Sequence, residues 1–152
     1  MIWSHKVALG LGCLALAATS AYAATVGQVL EARQKSYKQM GRAFKTISDN
    51  LKTDQPSVAL IRANAPTIVT MSKRIPNWLP AGTGKESGVK TAALPAIWQQ
   101  PAKFRQGSID LNAAAIVLND AAKSGDLNRI RAAAGGVGKT CKGCHETFRE
   151  KE

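Results

Sequence analysis

The sequence predicts an all-α fold, an antiparallel four-helix bundle with a long crossover between helices 2 and 3. Three observations carry this. Apolar residues recur at steps of three and four along four separate stretches, the spacing that gathers them on one helix face. No stretch shows the sustained apolar–polar alternation of a half-buried strand. The first and third connections are short and the second is long, and such a chain packs most simply as a bundle with shallow crossing angles.

The first helix is expected over Val26 to Leu51, where Val26, Leu30, Arg33, Tyr37, Met40, Phe44, Ile47 and Leu51 form one continuous stripe. Pro56 can occupy the first turn of the second helix, which runs through Val58, Leu60, Ile61, Ile68, Val69 and Met71 toward Ile75. Pro66 lies inside that run, so a kink or a break is expected near Asn64. From Pro76 to Pro101 the composition turns to Pro, Gly, Thr and Ser with Trp78 and Trp98 embedded, the crossover, with a short helical turn at Ala96 to Gln100. A third helix from Ala102 places Phe104, Leu111, Ala115, Leu118 and Ala122 on one face. Ser124-Gly125-Asp126 stops it and caps the fourth, Leu127 to about Arg149, whose inner face holds Ile130, Ala134, Val137, Cys141, Cys144 and Phe148.

The N-terminal segment reads as a secretory leader. Lys6 precedes an apolar run from Val7 to Ala18, and a small-x-small ending at Ala21-Tyr22-Ala23 predicts cleavage after Ala23. Residues 1–23 are therefore assigned to the leader and 24–152 to one bundle domain. The leader carries one Lys and no acid, so the net charge of the whole chain, +11, becomes +10 in the mature protein. A basic surface can steer an acidic partner protein. The basic residues are scattered without a run or an interleaved aromatic stripe, which argues against nucleic acid.

Chemistry is concentrated near the C-terminus, in Cys141-Lys142-Gly143-Cys144-His145. Two cysteines three apart with a histidine directly after the second form the c-type haem attachment pattern: each thiol adds to a vinyl group and the imidazole ligates iron. On a helix these three groups share one side. Once the leader is set aside, every remaining Cys and His of the chain sits in this pentapeptide. A closed zinc site wants four such ligands, and a redox dithiol wants a strand before the motif, so both alternatives are poorly served. One covalent haem c, with Cys141 and Cys144 as anchors and His145 as the metal ligand, is the expected cofactor.

With a single mature histidine, bis-histidine ligation within one chain is excluded. A sixth ligand is left to Met40, Met71, a Lys, Tyr37, or nothing. Methionine would make a low-spin electron carrier, and an open position would admit a diatomic gas. Arg33 stands at an inward position, where a haem propionate would offer a planar partner for its guanidinium; the alternative places it at the stripe's edge, reaching water. An enzyme such as a peroxidase would want a distal acid–base pair that the mature chain does not supply, so no enzyme is expected.

These residues together resemble the class II c-type cytochromes, the cytochrome c′ family. The resemblance spans the mature chain: Arg33-Gln34 with Tyr37, Met40 and Gly41; Leu94-Pro95-Ala96-Ile97-Trp98; Ser124-Gly125-Asp126-Leu127; and the C-terminal Cys-Lys-Gly-Cys-His-Glu-Thr-Phe-Arg. Low-spin relatives carry their ligand Met four residues after the Arg, a position held here by Tyr37, which implies a five-coordinate, high-spin iron with Tyr37 over the distal face. The same resemblance implies that Arg33 lies at the propionate side and Arg149 close to the proximal histidine, with dimers pairing through helices 1 and 2. Leader and haem motif together point to the periplasm, where electron transfer is the first expectation, because an exported haem needs no further machinery for it, and binding of nitric oxide or carbon monoxide at the vacant face the second. Gly135, Gly136 and Gly138 loosen the fourth helix just ahead of the motif.

Overall fold

The computed structural model describes the backbone of residues 12–151 and the side chains of residues 25–151. Helix α1 spans Gly12–Asn50, α2 Val58–Arg74, the short α3 Ala96–Gln99, α4 Pro101–Ser124 and α5 Leu127–Phe148. No β-strand occurs among the described residues, so the fold is the all-α bundle that the periodicity predicts. Residues 1–11 of the expected leader lie outside the described residues, and the helical backbone of α1 runs unbroken from Gly12 past Ala23.

Every member of the α1 stripe from Val26 to Leu51 is buried or half-buried, Arg33 included at 4 % exposure. The five apolar positions expected to face inward on α4 are all buried. On α5, Ile130, Ala134, Val137 and Phe148 are buried, and Cys141 and Cys144 are half-buried. These faces meet in one continuous core that includes Ile47, Ile61, Ile68, Leu118 and Ile130, all at most 1 % exposed. At roughly 1.5–3 kcal/mol for each fully buried aliphatic side chain, that core is the main favourable term in folding.

The helices alternate in direction. Arg62 near the start of α2 donates from Nε to the carbonyl of Ala122 at the end of α4 (2.8 Å), and Phe104 at the start of α4 meets Phe148 at the end of α5 edge-to-face at 5.3 Å. Between α4 and α5, Gly125 adopts the left-handed conformation (φ 80°) and donates to the Ala121 and Ala122 carbonyls. Asp126 then caps α5, its carboxylate accepting from the amides of Asn128 (2.8 Å) and Arg129 (3.1 Å).

Two local expectations are corrected. Ser57, not Pro56, opens α2: its hydroxyl accepts from the Leu60 amide and Pro56 stands before the cap. The break expected near Asn64 does not occur, because α2 continues through Pro66. Pro66 is exposed, while Ile61, Ala65, Ile68 and Ser72 bury the opposite face. The hydrogen bond that proline cannot donate is therefore lost on the solvent side, where water can take the carbonyl, and core packing holds the helix. Leu60 from the same run is exposed.

The crossover is ordered by its own contacts. A 3-10 turn at Ile75–Trp78 buries Ile75 and Trp78, and the Trp98 indole donates to the Leu79 and Pro80 carbonyls at 3.2 Å, closing the loop on itself. Its last part pairs with the end of α5. The Leu94 amide donates to the Phe148 carbonyl (3.0 Å) and the Glu150 amide to the Ala92 carbonyl (2.8 Å), while Lys85 and Glu150 form an ion pair at 2.8 Å.

Candidate functional site

The motif lies on the last two turns of α5, at the end of the bundle that also holds the crossover and the Arg33–Tyr37 part of α1. Cys141 and Cys144 are half-buried and pack against the core, and His145 is exposed beside them. Helix geometry accounts for this arrangement: residues three and four apart share a face, so Cys141 sits next to both Cys144 and His145. Burial pushes both thiols up from their ordinary range, Cys141 further through the neighbouring Cys144. Burial and the Arg149 guanidinium one turn on push the imidazole of His145 down. An open cleft of about 610 Å³ lies beside it, lined by Lys142, His145, Glu146, Arg149, Glu150 and Lys151.

Across from α5 stands α1. The seams between α1 and α2, α2 and α4, and α4 and α5 are closely packed, whereas the backbones of α1 and α5 stand apart. The two helices approach at Phe44, whose ring tip would lie 3.6 Å from a Cβ added at Gly138. Nearer the motif the α1 wall is Tyr37, half-buried with its ring edge-on to Trp78 at 4.9 Å. Burial, with a contribution from Cys144, pushes the Tyr37 hydroxyl far above its usual range, so it stays neutral at physiological pH. Met40, one turn on, is buried in the core, and Met71 is half-buried against it.

Arg33 is buried rather than reaching water, and its guanidinium is held by the crossover. Nη1 donates to the Thr83 hydroxyl (3.2 Å), and Nη2 donates to the Thr83 carbonyl (3.1 Å) and the Thr91 hydroxyl (2.8 Å). Burial lowers its proton affinity, a shift opposed by Tyr37. Thr83 and Thr91 were not legible as site residues: they are 50 and 58 positions from Arg33, and nothing local in the sequence pairs them with it. Trp78 was visible as an embedded aromatic, but its contact with Tyr37 was not.

The residues present fit a flat, covalently held group: two half-buried thiols and an exposed imidazole share the end of one helix, and Tyr37 on α1 lies within electrostatic reach of Cys144. A helical bundle with a Cys-x-x-Cys-His at the end of its last helix defines the bundle class of c-type cytochromes. The family described as Cytochrome C′ matches residues 28–149, and the chain belongs to that family. Its cofactor is accordingly haem c, bound covalently. A cytochrome c′ of Rubrivivax gelatinosus is 33 % identical over 126 residues, covering 82 % of this chain and 96 % of the relative. A nitric oxide complex of a mutant cytochrome c prime from Alcaligenes xylosoxidans superposes with a TM-score of 0.75 at 30 % identity, covering 84 % of this chain and 97 % of the other. A cytochrome c′ described as having an unusual ligand-controlled dimer dissociation superposes with a TM-score of 0.75 at 28 % identity, covering 83 % and 97 %. Among the described residues no helix is long and apolar enough to cross a membrane.

Proposed function

We propose that this chain is a periplasmic monohaem electron carrier whose haem is joined through thioethers to Cys141 and Cys144 and ligated by His145, with the sixth position open. The observation that carries this is the grouping of both thiols and the imidazole at the end of α5, beside the wide α1–α5 seam, with Tyr37 rather than a methionine near Cys144. When bound, haem supplies one-electron Fe(III)/Fe(II) chemistry, which needs no further machinery for electron transfer.

The chain's own residues then set the conditions. Tyr37, kept neutral by burial and braced by Trp78, excludes water and bulky ligands from the distal side. Met40 is committed to the core, which supports five-coordination. Arg149 places a positive charge within a turn of His145, and Arg33 faces the propionate side. Residues 1–23 serve as the export leader, removed after Ala23, and the basic surface suits an acidic redox partner.

Binding of nitric oxide or carbon monoxide at the open face is a second reading. Its support is the guarded distal wall and the related protein solved as a nitric oxide complex. Pairing of two copies through α1 and α2 is part of the same proposal, supported by the relative whose dimer responds to ligand. No catalytic activity is proposed.

The test is an optical spectrum of the purified, oxidised holoprotein with and without nitric oxide, made in a host that matures c-type haem. A high-spin spectrum that changes on adding the gas is expected. A low-spin spectrum insensitive to it would remove the open position, and haem that survives Cys141→Ser with Cys144→Ser would remove the anchors.

A further inference from the structure

Arg33 is a buried cation without a counter-charge among the described residues. It is 4 % exposed, no carboxylate among the described residues pairs with it, and its three hydrogen bonds go to neutral oxygens of Thr83 and Thr91. Those bonds use one Nη1 hydrogen and both Nη2 hydrogens, leaving Nε–H and the second Nη1–H unspent. The Thr91 hydroxyl accepts from Arg33 Nη2 and also from the Ala93 amide (3.1 Å), and its own proton is in no hydrogen bond to the described protein. Unspent donors beside an uncompensated guanidinium suit one carboxylate, which can accept several.

Thr91 also begins the segment that grips the end of α5. Ala92 accepts from the Glu150 amide and Leu94 donates to the Phe148 carbonyl, within three residues of Thr91 on the crossover and within five of His145 on the helix. One short stretch thus touches both the buried charge on α1 and the terminus of the helix that bears the imidazole.

We propose that Thr91 is a positioning residue of the haem pocket: it fixes the Arg33 guanidinium toward a haem carboxylate and ties that charge to the end of the His145 helix. This rests on the haem assignment above. A fixed, poorly solvated cation favours the reduced centre, which carries one positive charge fewer. Loss of the Thr91 hydroxyl removes one of the three bonds and leaves the two to Thr83, so the guanidinium loses part of its fixed direction and its field at the haem carboxylate weakens.

The experiment compares holoprotein with Thr91→Val, Thr91→Ser and Thr91→Ala by haem content and midpoint potential. Thr91→Val is expected to keep its haem and shift the ferric/ferrous equilibrium about fivefold toward ferric, which is about 40 mV for a one-electron couple. Thr91→Ser restores the hydroxyl and should restore the potential. Thr91→Ala, which asks no extra volume of the crossover, should match Thr91→Val even where the latter folds poorly. In an Arg33→Lys background the Thr91→Val shift should shrink to less than half, because the two act through one contact. An unchanged potential in fully loaded Thr91→Val and Thr91→Ala overturns the role of Thr91 and leaves the haem assignment standing. Native protein that carries no covalent haem overturns both.

Discussion

Gly135 and Gly136 sit mid-way along α5, and nothing in the fold requires them. A Cβ built at either position meets no atom within 4 Å, and both residues are exposed and helical. In a helix interior glycine costs about 1 kcal/mol relative to alanine, much of it through the greater freedom of the unfolded chain. The double change Gly135→Ala with Gly136→Ala should therefore stabilise the protein by about 2 kcal/mol, raising the melting temperature by roughly 6–10 °C for a domain of this size. Thermal unfolding followed by circular dichroism at the helix band, on native and variant protein with equal haem content, reads it directly. Gly125→Ala serves as the opposed control. There φ is 80° and the new Cβ would stand 3.2 Å from Nη2 of Arg62, so a loss of about 1–2 kcal/mol is expected. A double variant that melts at or below the native temperature would refute the reasoning, and would mean that α5 carries a constraint not expressed in its packing.

Asp126→Ala removes both cap acceptances and should cost about 1 kcal/mol, seen as a lower denaturant midpoint with unchanged slope. On the proposed reading of the distal wall, Tyr37→Ala should speed carbon monoxide binding about tenfold, equivalent to about 1.4 kcal/mol of barrier; an unchanged on-rate in flash photolysis would remove Tyr37 as the gate. The haem-free protein should lose stability as pH falls below about 6.5, because His145 binds its proton less readily folded than unfolded and the unfolded state gains by protonation. It should also lose stability above about pH 10, where the unfolded Tyr37 ionises and the buried one does not. Unfolding titrations across both windows, with His145→Gln and Tyr37→Phe flattening the respective limbs, check the assignment.

The parts of this fold that are local in the chain could be read from it. A stripe from Val26 to Leu51 at helical spacing can only bury one face, and Gly125 followed by Asp126 is a stop and a cap whose chemistry acts within four residues. The Cys-x-x-Cys-His spacing fixes its own geometry for the same reason. What escaped was decided at distance. The continuity of α2 through Pro66 depends on which way the proline faces, and that is set by packing on α4. The grip of Thr83 and Thr91 on Arg33 joins the crossover to the first helix, with the whole of α2 between them in the chain. An inward arginine on α1 needs a partner that its own helix does not supply, and the crossover meets part of that need.

Helix α5 is fastened to the crossover at its C-terminal end, where the Leu94 amide donates to the Phe148 carbonyl and the Glu150 amide to the Ala92 carbonyl. An α-helix turns about 100° for each residue, so a slip of a single position along its axis would carry both sulfurs and the imidazole about a quarter-turn from their present direction. The two backbone bonds resist such a turn. They bear on the azimuth of the three reactive groups, and make aim, rather than reach, the quantity that this small stretch of non-helical pairing controls.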